Sequence, residues 1–145
     1  MAMAERSATT VWEGNLPKGK GTVNGKSGAL SDLGVTWASR TERSNGLTSP
    51  EELIAAAHSS CFAMAFSNEL SQAGHDPERV EVTAKVTLDQ QDGAPTVTTS
   101  EITVSGRVPG LDQAGFDEAA QTAGKNCPIS RALAGVAITV TATLE

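Results

Sequence analysis

An α+β fold is what this sequence predicts, and three observations predict it. Short segments near both ends alternate apolar and polar residues at strand spacing. One long apolar run between them has helical spacing and opens with a helix-start signal. The strands and helices fall in separate stretches instead of alternating one by one, as a parallel α/β fold would require. A chain of 145 residues is long enough to bury one core and is expected to form one domain, 1–145.

The elements follow in order. Ser7 to Glu13, Gly21 to Asn24 and Val35 to Arg40 read as short strands, separated by turn signals at Asn15-Leu-Pro-Lys-Gly19 and Asn24-Gly25. Ser49-Pro50-Glu51-Glu52 announces a helix: Ser at the cap, Pro at the first helical position, and Glu three residues after the cap to complete a capping box. The run from Leu53 through Leu70 carries it to Gly74. Apolar and small residues nearly all round predict a largely buried helix. Val80, Val82, Ala84, Val86 and Leu88 form the next strand. A turn at Gln91-Asp-Gly-Ala-Pro95 leads to another, with Ile102, Val104 and Gly106 on one face. A second helix spans Asp112 to Gly124, a short third begins at Cys127-Pro128, and Val136 to Leu144 closes as a strand.

Composition excludes several functions. A formal charge of −6 and a pI near 4.9 argue against nucleic acid as a partner, since phosphate binding needs clustered Lys and Arg. Aromatic residues make up 3% with no Tyr, so a base-stacking platform is not expected and the core must be aliphatic. No apolar run approaches the ~20 residues that span a bilayer, and the start lacks an apolar signal-peptide core. A cytoplasmic location is the expectation. In that reducing compartment two cysteines are more often catalytic, redox-active or metal-binding than a structural staple.

Cys61 lies within the long helix and Cys127 heads the short one. Buried Cys is common as a small hydrophobe, so two unrelated structural cysteines are the plain alternative. A thiol becomes reactive when a cation or a helix N-terminus lowers its pKa. By that rule Cys127 is the better placed, while mid-helix Cys61 needs a cation from elsewhere; sequence physics leaves the attacking thiol open. Arg40 and Arg43 are both candidates for that cation, and bidentate pairing with Glu51 would fix either guanidinium. Glu52 matches the capping position, which leaves Glu51 freer to orient something else. His58, three residues before Cys61, shares its helix face, though such a histidine is more often a satisfied core residue than a base. Cys61, Cys127, His58 and His75 are four zinc-type ligands, but without the paired close spacing of a zinc site.

Five motifs in order make the reading specific: Trp12-Glu-Gly14, Gly19-Lys-Gly21, Ser49-Pro-Glu-Glu-Leu-Ile54, Ala57-His-Ser-Ser-Cys-Phe62 and Cys127-Pro-Ile-Ser130. Together they resemble the OsmC/Ohr family of organic hydroperoxide reductases, from about residue 7 to 144. The resemblance implies an intertwined homodimer with mixed or antiparallel sheets wrapped around two central helices. It implies a peroxidatic Cys61, a resolving Cys127, and a catalytic Arg salt-bridged to Glu51. Arg40 matches the position used in the OsmC branch. The Ohr branch takes its Arg from the early Gly-rich turn, which here reads Leu16-Pro-Lys-Gly-Lys-Gly21 and holds none.

On that resemblance, Cys61 reduces an organic hydroperoxide to an alcohol, passes through a sulfenic acid and forms a disulfide with Cys127. An external dithiol, of lipoyl type, reopens the bond, and no metal, haem or flavin is required. Phe62, Met64 and Phe66 are expected to give the thiol an apolar lining suited to alkyl hydroperoxides. Glu51 and Cys61 are separated by about 15 Å of helix rise. The Glu51–Arg pair of one subunit is therefore expected to serve Cys61 of the other. The rival classes are a non-enzymatic redox sensor and a small-molecule binding module with structural cysteines.

Overall fold

The computed structural model describes residues 1–145 as two compact units, Met1–Leu53 and Ile54–Glu145. Ten elements make an α+β chain with two three-stranded sheets and four helices.

The first unit holds β1 (Ala8–Glu13), β2 (Lys20–Gly25) and β3 (Leu33–Val35), paired antiparallel in that order. Trp12 stands opposite Gly21. A Cβ on Gly21 would stand 2.9 Å from its indole, and one on Gly19 would fall 2.4 Å from the Asn15 carbonyl. The Gly-Lys-Gly spacing therefore lets the Asn15–Gly19 loop close under Trp12. Little is buried here: Val23 is 6% exposed, while Val11 remains 60% and Leu16 55% exposed.

The expected strand from Val35 to Arg40 is not formed beyond Val35. Trp37–Thr41 is instead a short helix, α1. Thr36 caps it: its Oγ1 accepts from the Ser39 N–H at 2.9 Å, and Ser39 Oγ returns a contact to the Thr36 N–H at 2.9 Å. That reciprocal cap satisfies the helix start locally and overrides the extended pattern. Ser39 Oγ also donates to the Thr48 carbonyl at 3.0 Å, tying α1 to the residues that precede the long helix.

That helix, α2 (Pro50–Gln72), begins in the first unit and continues into the second. Ser49 Oγ accepts from the Glu52 N–H at 3.1 Å, as a cap should. The Glu52 side chain does not complete the box; it accepts from Thr48 Oγ1 at 2.6 Å. Nor is α2 buried all round. His58, Phe62, Phe66 and Leu70, four residues apart, are fully buried, while Met64 is 73% exposed. One chain covers one stripe of a helix that is apolar on more than one side.

In the second unit β4 (Arg79–Gln91) and β5 (Ala94–Arg107) form a long hairpin. It turns at Asp92-Gly93, both at positive φ (52° and 79°), as a tight two-residue turn demands. β6 (Ala137–Leu144) runs parallel to β5. The parallel return requires a crossover, supplied by α3 (Gln113–Asn126) and α4 (Pro128–Ala132). Asp112 caps α3, accepting from the Gly115 N–H at 2.8 Å. Ser100, Ile102 and Val104 of β5 point inward with Phe116, Ala120 and Ala123 of α3, and the buried stripe of α2 completes that core. Phe66 lies at the centre, its ring 5.8 Å from Phe62 and 4.9 Å from Phe116. Gly124 permits the close approach of α3 to β6, since a Cβ there would stand 2.8 Å from Val140 Cγ2.

Candidate active site

Two constellations stand out, one in each unit. In the first, α1 presents Arg40 to Glu51 in the first turn of α2. Arg40 Nε donates to both Glu51 carboxylate oxygens at 3.0 and 3.1 Å, and Nη2 donates to Oε1 at 2.7 Å. Glu51 is 8% exposed, and the Arg40 side chain retains 31%. The guanidinium also lies 6.0 Å from the centre of the Trp37 ring, within cation–π range. Of the two candidate arginines, Arg40 is the one paired with Glu51; Arg43 is exposed and forms no ion pair. A guanidinium gripped side-on keeps its remaining N–H groups in a fixed direction, as recognition of an oxyanion requires.

In the second unit the two thiols, 66 positions apart in sequence, are neighbours. Cys127 is fully buried and caps α4 without a side-chain cap bond; Cys61 is half-buried. Burial is the main influence on Cys61 and pushes its thiol above the usual range. The nearby backbone N–H of Ile129, in the first turn of α4, acts the other way, and Cys127 beside it adds to the rise. None of these three influences is a cation, so the thiol lacks the partner that would favour thiolate at neutral pH.

His58, one turn before Cys61, is held at both nitrogens: Nδ1 lies 2.7 Å from Ser100 Oγ and Nε2 2.8 Å from Ser130 Oγ. Burial lowers its pKa, so the ring is neutral near pH 7. It makes no thiol contact of the kind a Cys–His nucleophile needs. Phe62 and Phe66 are core residues, and Met64 projects outward, so the expected apolar lining of Cys61 is not assembled from them within one chain. His75 does not join His58 and the cysteines in a cluster.

Sequence reasoning missed Ser100, Trp37 and the Ile129 amide. Ser100 carried a signal: it shares the inward face of β5 with Ile102 and Val104, where a hydroxyl needs a partner. A backbone donor leaves no such trace.

The OsmC family model, described as an OsmC-like protein, matches residues 43–142. The chain belongs to the OsmC family. It is 42% identical over 122 residues to the peroxiredoxin OsmC of Escherichia coli K12, covering 84% of this chain and 85% of that protein. The solved organic hydroperoxide resistance protein OsmC of Legionella pneumophila superimposes with a TM-score of 0.73 at 23% identity, covering 99% of both chains. The organic hydroperoxide resistance protein OhrB of Bacillus subtilis gives a TM-score of 0.69 at 23% identity, over 96% of this chain and 98% of its own. This membership accounts for the shared α+β fold.

Proposed function

We propose that the chain is a cysteine-based peroxidase that reduces organic hydroperoxides to alcohols. The observation that carries the reading is the meeting of two cysteines of unequal access, in a chain 42% identical to a protein named a peroxiredoxin. Unequal access supports Cys61 as the attacking thiol and Cys127 as its resolving partner: Cys61 is half-buried, and Cys127 is fully buried.

Cys61 thiolate attacks the outer peroxide oxygen of ROOH. An S–O bond forms, the O–O bond breaks, sulfur gives up two electrons, and the alkoxide leaves as alcohol after taking a proton. The Cys127 thiol then displaces water from the sulfenic acid to give the Cys61–Cys127 disulfide, which protects Cys61 from further oxidation. An external dithiol reopens it by exchange, supplying two electrons and two protons. The chemistry calls on no bound metal or organic cofactor, and a reducing cytoplasm supplies the dithiol.

The missing cation is Arg40, fixed by Glu51 and delivered from a second copy of the chain. Arg40 would favour the Cys61 thiolate and receive the charge developing on the leaving oxygen. A homodimer fits two observations: the first unit buries almost no apolar side chain, and α2 leaves Met64 uncovered.

The test is loss of tert-butyl or cumene hydroperoxide with dihydrolipoamide or dithiothreitol as reductant. Multiple turnovers are expected, absent in Cys61→Ser. Cys127→Ser should reach the Cys61 sulfenic acid with the first peroxide and, without its resolving thiol, be carried to the inactive sulfinic acid by a second. In mixed dimers, Glu51→Ala and Cys61→Ser chains should restore activity to one another. A wild type that consumes one equivalent of peroxide and stops, with reductant present, would refute the enzyme reading.

A further inference from the structure

The His58 cluster has a geometry that a merely satisfied core histidine does not need. The imidazole is fully buried and bridges two elements remote in sequence, β5 through Ser100 and α4 through Ser130. A neutral imidazole carries one donor and one acceptor, so the two hydroxyls are held in opposite senses and the ring is locked at both ends. Ser130 directly follows Ile129, whose backbone N–H lies close enough to Cys61 to favour its thiolate, and is three residues after Cys127. His58 itself sits one turn before Cys61 on α2.

The turn that carries Cys127 and Ile129 has little to hold it locally. α4 is five residues long and its N-cap makes no side-chain bond. Helices this short do not persist by their own hydrogen bonding. Their register is set by what their side chains reach: Cys127 and Ile129 pack at the core, and the Ser130 hydroxyl bonds only His58.

We propose that His58 is a positioning residue for the thiol pair: braced by Ser100, it clamps Ser130 and so sets α4 in the register where the Ile129 N–H and Cys127 meet Cys61. This rests on reading Cys61 and Cys127 as the reacting pair and adds a residue to the machinery that makes them react. His58 acts through the α4 backbone, not by touching peroxide or taking its proton.

Two readouts test this without peroxide or turnover. The first is closure of the Cys61–Cys127 disulfide by diamide: two S–H bonds are lost, one S–S bond forms, and two electrons and two protons pass to the azo group, giving the hydrazine. The second is the pH profile of Cys61 alkylation by iodoacetamide in a Cys127→Ser background, which reports thiolate formation. Ser130→Ala and His58→Ala should each slow closure about tenfold or more, the scale on which loss of a supporting hydrogen bond disturbs a reactive site. Both should move the alkylation profile to higher pH. His58→Gln, which retains an amide group near the Nε2 position, should recover at least half of the loss. Where His58→Ala does not fold, Ser130→Ala decides alone, because it removes one oxygen atom. Closure and alkylation within twofold of wild type in folded Ser130→Ala would overturn the proposal, as would a His58→Gln chain as slow as His58→Ala. Loss of the peroxidase reading alone would leave both readouts intact and appear only in the hydroperoxide assay.

Discussion

Separating Arg40 from Glu51 should destabilise the chain unequally from the two sides. The pair has three N–H···O contacts of 2.7 to 3.1 Å, and its members differ in access: 10% exposure for the Glu51 side chain against 31% for Arg40. Fully exposed pairs contribute about 0–1 kcal/mol, and breaking a buried one costs about 3–5 kcal/mol. With one partner nearly buried and the other partly wet, the coupling should fall between, at about 2 kcal/mol. Arg40→Met strands a carboxylate that water hardly reaches and should cost about 2–3 kcal/mol. Glu51→Gln keeps a carbonyl acceptor and leaves an arginine that can turn to solvent, so about 1 kcal/mol is expected. Urea denaturation at pH 7 and fixed protein concentration measures both variants and the double mutant. At a slope of roughly 2 kcal/mol/M, the Arg40→Met midpoint should drop by about 1 M. A coupling under about 0.5 kcal/mol, or a Glu51→Gln chain less stable than Arg40→Met, would refute the reasoning.

Three further outcomes are expected. Phe66→Ala, at the centre of the three-ring cluster, should lose about 3–5 kcal/mol in the same assay; a loss below 1 would show that this core is not formed. Thr36→Ala removes the α1 cap and should cost about 1 kcal/mol, whereas an unchanged midpoint would mean that α1 is held by other contacts. Because the folded chain holds the His58 pKa below its unfolded value, the fold favours the neutral ring. That stability is present above about pH 6.5 and is lost as pH falls below it towards the folded value, so midpoints should decline there. Glutamine at position 58 should flatten this decline, and an identical pH profile in that variant would assign it to other groups.

Much of the architecture was legible because its signals are local. Strand alternation, the cap at Ser49, the Asp-Gly turn and the Pro after Cys127 each concern neighbouring atoms, so α2, the β4–β5 hairpin, α4 and β6 lie near their expected places. The stretch after Val35 failed for a local reason as well: a capping box built from Thr and Ser, without the Glu or Gln that marks the usual pattern, turned an expected strand into α1. Only tertiary structure shows which arginine pairs with Glu51, since that required α1 to turn one guanidinium onto a carboxylate eleven residues away. The same holds for the meeting of Cys61 with Cys127, and for His58 reaching Ser100 and Ser130 across 42 and 72 positions. Residue types and caps are written in the chain one turn at a time. Contacts between remote side chains arise from how a shared core folds those turns together, and no local spacing records them.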